Sequence, residues 1–240
     1  MSEEWNNRLD LAACYHLADY FNMSDIIWNH ITAKTSSTKD TFLINKFGLR
    51  YDEITASNLL EINHDGEVIN GEGEINDTGY IIHGAIHKNR EDIACVMHTH
   101  SRAGLAISCL EEGLKPIIQD AAIFHNRISY HDWEGMSTEK DECERLSKNL
   151  GKNKVMILRN HGLLTCGNNI SEAFMLMYYL DRACKNQIDT LSMGKKTIVP
   201  SDNIIEFAAG QYDDPRFQLG KHEWPALLRL LDKNNSIYKN

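Results

Sequence analysis

The chain has 240 residues, 42% of them apolar and 25% charged, enough for one large domain with a sizeable core. Its formal net charge of −9 has the wrong sign for gripping phosphate backbones, which removes nucleic acid as a first-choice partner. No apolar run approaches the roughly 20 residues of a membrane span, and MSEEWNNRLD lacks the basic and apolar parts of a signal peptide. The expectation is a cytoplasmic protein that binds no membrane.

Six cysteines (Cys14, Cys95, Cys109, Cys143, Cys166, Cys184) show no C-x-x-C spacing and read as reduced, mostly structural thiols. Only four prolines are present, with no linker, repeat or charge block. Residues 1–240 are therefore read as a single domain.

In chain order, EWNNRLDLAACYHLADYFNMSD carries Leu9, Ala12, Ala13, Leu17, Tyr20 and Phe21 at helical spacing. IIWNHITAK and TFLIN read as strands parted by the turn TSSTKD, and GEVINGEG as a third short strand. GYIIHGAIHKNRED is expected to be helical and to lead into the strand IACVMHTH; RAGLAISCL follows as a helix and ISYHDWEG as a strand and loop. STEKDECERLSKNL opens on a capping box at Ser137 or Thr138 and closes at Gly151. KVMILRNHG and LLTCG are strands, SEAFMLMYYLDRACKNQIDTL is a long amphipathic helix with Ser171 as N-cap, and a helical extension covers about 195–240. Mixed strands flanked by helices indicate an α/β fold with a mixed or largely antiparallel sheet.

On a strand, alternate side chains share a face, so His98 and His100 of VMHTH project together. His161, in RNHG, stands at the end of a second apolar strand. If the two strands are neighbours, three imidazoles converge and leave a coordination position open, as in a catalytic divalent-metal site. The competing reading of an isolated H-x-H is a turn feature, and spacing alone leaves the two about even. His83 and His87 lie four apart on one helix face, but GAI between them lacks the Glu of H-E-x-x-H. One buried and one exposed histidine is the expectation there, and His16, His64 and His222 are background.

DIACVMHTHSRAGLAIS together with VMILRNHGLLTCGNNISEAF resembles the class II aldolase/adducin family. The likeness continues through TFLINKFGLRYDEITASNLLEI, INDTGYIIHGAIHKNREDI and ISYHDWEG, from about Leu9 to Leu191. It implies a three-layer α/β/α fold with a central, mainly antiparallel sheet, and a homotetramer. It also implies a Zn²⁺-type site on His98, His100 and His161, with Mn²⁺ or Fe²⁺ as alternatives. A tyrosine can donate a proton in such chemistry, and Tyr130 is the candidate by motif context.

Two departures from the aldolase pattern matter. Gly79 stands where aldolases have their catalytic Glu, and glycine cannot move a proton; Glu72 and Glu74 read as solvated loop residues. The aldolase phosphate turn Gly-Asn-Ile-Ser is matched by Asn29 to Thr32, so Asn29, His30 and Thr32 are candidate substrate-binding residues without its glycine. Asp77 and Thr78 replace a Ser-Ser pair, and a carboxylate there opposes phosphate. These features resemble the adducin head and its bacterial relatives. The first expectation is a metal-dependent carbon–carbon lyase, aldolase- or decarboxylase-type, acting on a small non-phosphorylated carbonyl or carboxylate compound. The alternative is a non-catalytic, adducin-head-like oligomeric binding or scaffold protein. A non-haem iron oxygenase is a weaker third option, because that site more usually holds two His and one carboxylate.

Overall fold

The computed structural model describes residues 1–135, 140–214, 216–234 and 236–240. The expected capping box at Ser137 or Thr138 lies outside the described residues. Helix α1 (Glu3–Tyr20) starts where the Ser2 hydroxyl accepts the Trp5 N–H at 3.2 Å, with Glu3 and Glu4 on its positive end. Strands β1 (His30–Ser36) and β2 (Lys39–Ile44) form the expected hairpin. Strand β3 (Leu60–Ile62) was not expected, and β4 (Val68–Asn70) follows it. Helix α2 (Asp77–Asn89) then leads into β5 (Cys95–Thr99).

Beyond β5 come α3 (Arg102–Ser108), the short α4 (Gln119–Ala122), β6 (Ile128–His131) and α5 (Lys140–Leu150). Strands β7 (Val155–Leu158) and β8 (Gly162–Gly167) precede α6 (Ile170–Ser192), α7 (Asp202–Tyr212) and α8 (Glu223–Lys233). The N-cap of α6 is Asn169 and not Ser171: the Asn169 Oδ1 accepts the Glu172 N–H at 2.8 Å, and Ser171 sits inside the first turn, bonded to Asn169. Either residue type can cap; Asn169 has the extended backbone that the position needs.

All eight strands join one sheet in the order β4-β3-β2-β1-β5-β8-β7-β6. Every neighbouring pair is antiparallel except β6 with β7. Helices α1, α3, α6 and α8 cover one face through Leu11, Leu17, Ile107, Phe174, Leu180 and Trp224. Helices α2 and α5 cover the other through Ile82, Ile86, Leu146 and Leu150. The architecture is thus three-layer α/β/α around a mainly antiparallel sheet. The C-terminal segment is tied down, with Ala56 and Ser57 N–H groups donating to the carbonyls of Tyr238 and Asn240.

Register decides where chemistry can sit. His30 pairs with His98 across β1 and β5, and Thr99 pairs with Leu163 across β5 and β8. The start of β1, the end of β5 and the start of β8 therefore meet at one edge of the sheet centre. Beside them, Tyr15 from α1 reaches into the end of the β1–β2 ladder. Its hydroxyl accepts the Ile31 N–H at 2.8 Å and donates to the Ile31 carbonyl, 2.6 Å away, with Asn45 Oδ1 at 2.8 Å. Removing it in Tyr15→Phe orphans buried backbone groups and is expected to cost about 2 kcal/mol. A urea denaturation midpoint indistinguishable from the parent would contradict that role.

Candidate metal centre

Of the six histidines near this edge, His98, His100 and His161 come closest to a common point. One ring nitrogen from each lies within 4.8 Å of the other two. His98 is buried on β5, while His100 and His161 are half-buried at the strand ends. His161 is delivered by a three-residue turn between β7 and β8, in which Asn160 takes φ 57°. Gly162 follows with φ 155°, and a Cβ there would lie 2.5 Å from the Thr99 carbonyl oxygen and 3.1 Å from the His100 ring. Only glycine lets β8 pass this close to the H-x-H strand.

The proton positions follow from the partners. His98 Nδ1 lies 2.9 Å from the Leu163 carbonyl, which can only accept, so this nitrogen carries the hydrogen. His100 Nδ1 donates likewise to the Asp25 carboxylate at 3.0 Å. Both Nε2 atoms are left with lone pairs, and they face each other at 3.0 Å. A bound cation, or a proton shared between them, satisfies both nitrogens at this distance. Nitrogens bound tetrahedrally to one ion at about 2.05 Å would stand roughly 3.3 Å apart; this pair is 3.0 Å apart, and the set with His161 lies within 4.8 Å. Burial, then the neighbouring His161 and His100, holds the His98 pKa well below the ordinary imidazole value. Burial, then His100, lowers that of His161 to about 4. Both rings are thereby kept in the neutral form that a metal ligand requires.

Asp25 gave no signal in the sequence, 75 positions before His100. It belongs to a tight turn in which Ile26 has φ 52° and Asn29 φ 69°. A β-branched residue at positive φ is an outlier held by its surroundings. What the turn achieves is twofold: Asp25 on the His100 ring, and Asn29 Oδ1 accepting the His100 backbone N–H at 3.1 Å. Asn29 Nδ2 is buried and finds no partner among the described residues.

Over the triad lies a cavity of about 370 Å³, lined by Asn29, His30, Trp28, Trp133 and Asn160 among others. Thr32, expected alongside Asn29 and His30, points instead into the layer beneath α2. Its hydroxyl contacts His83 Nδ1 and His87 Nε2, each at 2.8 Å. Both histidines are buried, which corrects the expectation that one would be exposed: both rings turn in toward the sheet, where the Thr32 hydroxyl of β1 meets them. Burial, with His30 next, pushes His83 well below its ordinary pKa; burial, with Lys34 next, brings His87 to about 3. Tyr130 does not reach the cavity. Its hydroxyl accepts the Leu114 N–H at 3.2 Å, and it lines a separate pocket with Phe124 and His125. Gly79 lies in the first turn of α2, Glu72 and Glu74 are exposed, and no carboxylate lines the cavity among the described residues.

A model of the class II aldolase and adducin N-terminal domain matches residues 9–188. A Pseudomonas aeruginosa protein provisionally named a class 2 aldolase is 42% identical, over 98% of this chain and 93% of its own length. Rat alpha-adducin is 37% identical over 94% of this chain, which spans 33% of that protein. The structure of L-fuculose 1-phosphate aldolase from Glaciozyma antarctica PI12 superposes with a TM-score of 0.87 at 26% identity, covering 99% of this chain and 93% of that one.

The buried imidazoles set an acid limit on the fold. His83, His87 and His98 have folded-state values below the unfolded value near 6.5, so on acidification the unfolded chain takes up protons that the folded chain refuses. The stability present above about pH 6.5 is then lost as pH falls, by up to about 1.4 kcal/mol per pH unit for each group. In chelator-treated protein, the urea midpoint is expected to drop between pH 6.5 and 5. The pair His83→Asn and His87→Gln, which keeps polar partners for Thr32 without the titrating rings, should flatten that drop. An unchanged slope in the double variant would place the acid sensitivity elsewhere.

Proposed function

The chain belongs to the class II aldolase and adducin family, and from that premise we propose that it is a divalent-metal-dependent carbon–carbon lyase acting on a small, non-phosphorylated carbonyl or carboxylate compound. The observation that carries this reading is the pair of facing Nε2 lone pairs on His98 and His100, whose other nitrogens are already committed as donors. His161 completes a three-imidazole set, which suits Zn²⁺ best and tolerates Mn²⁺ or Fe²⁺. When bound, such an ion supplies Lewis acidity, stabilising charge on an oxygen of the substrate as a carbon–carbon bond breaks.

The chain's own residues do the rest. Leu163 and Asp25 fix the ring orientations of His98 and His100. Asn29 Nδ2 is a buried donor without an acceptor among the described residues, suited to a substrate oxygen. With Gly79 at the position that matches the aldolase glutamate, decarboxylation gains over aldol cleavage, because loss of CO₂ needs no initial deprotonation of carbon. A cytoplasmic homo-oligomer, tetrameric as the family resemblance implies, completes the reading. The similarity to alpha-adducin favours a second reading, a non-catalytic binding protein. Under it, triad substitutions alter no turnover.

Elemental analysis of tag-free protein is expected to find about one divalent ion per chain, lost in the His98→Ala, His161→Ala variant. A folded parent that neither contains nor takes up an ion would refute the lyase reading. Asp25→Ala, which frees the His100 ring, should weaken metal affinity by about 10- to 100-fold in a chelator competition. Asp25→Asn, still able to accept from Nδ1, should recover part of the loss; equal affinities in all three proteins would remove Asp25 from the centre.

A further inference from the structure

The walls of the cavity over the triad carry information about the part of the substrate that does not react. Trp28 and Trp133 both line it, and they are 50% and 61% exposed. Tryptophan left this wet on the rim of a cavity is large apolar area awaiting a partner. Trp28 is braced, its ring packed 5.6 Å from that of Phe47 at the mouth of the Asp25–Asn29 turn. Trp133 comes from the opposite side, in the loop after β6. Ile82 and Leu105 add apolar lining between them.

Among the described residues, the charged side chains of Asp132, Glu142 and Arg159 line a separate small pocket beside His161 and not this cavity. Apart from the imidazoles, the polar lining consists of Asn29, Asn76 and Asn160, and no Lys, Arg, Asp or Glu lines this cavity among the described residues. A phosphate dianion brought here would lose water without meeting an Arg or Lys side chain. An aromatic ring would lose water at no such cost and gain apolar contact with the two indoles.

We infer that the substrate carries an uncharged aromatic ring, held between Trp28 and Trp133 while its oxygen-bearing end faces the three histidines. This inference rests on the metal reading above, since the triad must anchor the other end.

Three 2-hydroxy acids share one metal-chelating head and differ only in what is attached: mandelate bears a phenyl ring, lactate a methyl group, 3-phosphoglycerate a phosphate. Calorimetric titration of the Zn²⁺-loaded protein is expected to find mandelate binding at least tenfold tighter than either of the others. That advantage should fall below threefold in Trp28→Ala and in Trp133→Ala, with metal content unchanged in both. The inference is overturned if mandelate binds no tighter than lactate, which includes no binding by either, if 3-phosphoglycerate matches it, or if its advantage survives both substitutions. A protein that loads metal but shows no preference for the ring loses this inference alone. A protein that loads no metal loses the lyase reading, and the ring inference falls with it.

Discussion

Strands β1, β5 and β8 lie side by side, antiparallel, in a register that brings His30, His98 and Gly162 to one edge of the sheet. The histidine centre depends on this pairing. A slip of one residue would turn His98 and His100 to the opposite face, into the layer packed by α1, α3 and α6. The register is specified from several sides at once: by apolar cores on both faces, by Tyr15 bridging the end of the β1–β2 ladder, and by Gly162 admitting the close approach of β8. Burial then does electrostatic work, since the packing around His98 and His161 keeps those two rings neutral and able to offer lone pairs.

Around that frame, backbone strain is concentrated where the centre needs it. Ile26, Asn29 and Asn160 all adopt positive φ within a few residues of a side chain that lines the cavity or holds a triad histidine. Such conformations cost of order 1–3 kcal/mol each and persist where surrounding contacts over-determine them. Here those contacts are the Asp25 and Asn29 hydrogen bonds to His100 and the tight β7–β8 turn. The His83–Thr32–His87 group beneath α2 extends the polar region inward, with the His30 ring 4.1 Å from that of His83. Six histidines thus run from α2 to the cavity, and the burial of His83, His87 and His98 places acid sensitivity of the fold in this region.

Much of this was legible in the sequence because the signals were local. The two-residue period of a strand put His98 and His100 on one side, and N-H-G at the end of an apolar strand marked His161. Family resemblance supplied the layers. What escaped depended on distant contacts. Strand β3 spans three residues, too few for alternation to register. Asp25 reaches His100 only through a turn whose conformation its own residues disfavour. Trp28 and Trp133 share a cavity because β1 and β6, far apart in both chain and sheet, are bridged by the site between them. His83 and His87 looked like a half-exposed pair because helical spacing cannot reveal that Thr32 of β1 meets both rings. Tyr130 belonged to a motif that held a candidate role, yet strand alternation sends His131 and Tyr130 to opposite faces of β6.

The central claim is that three imidazoles converge to hold one divalent ion beneath an aromatic-walled cavity. Anomalous diffraction from metal-loaded crystals, recorded on both sides of the ion's absorption edge, tests it most directly. The account predicts a single strong peak per chain, within bonding distance of His98, His100 and His161. A well-ordered triad with no peak, or a peak bound by other residues, would contradict it.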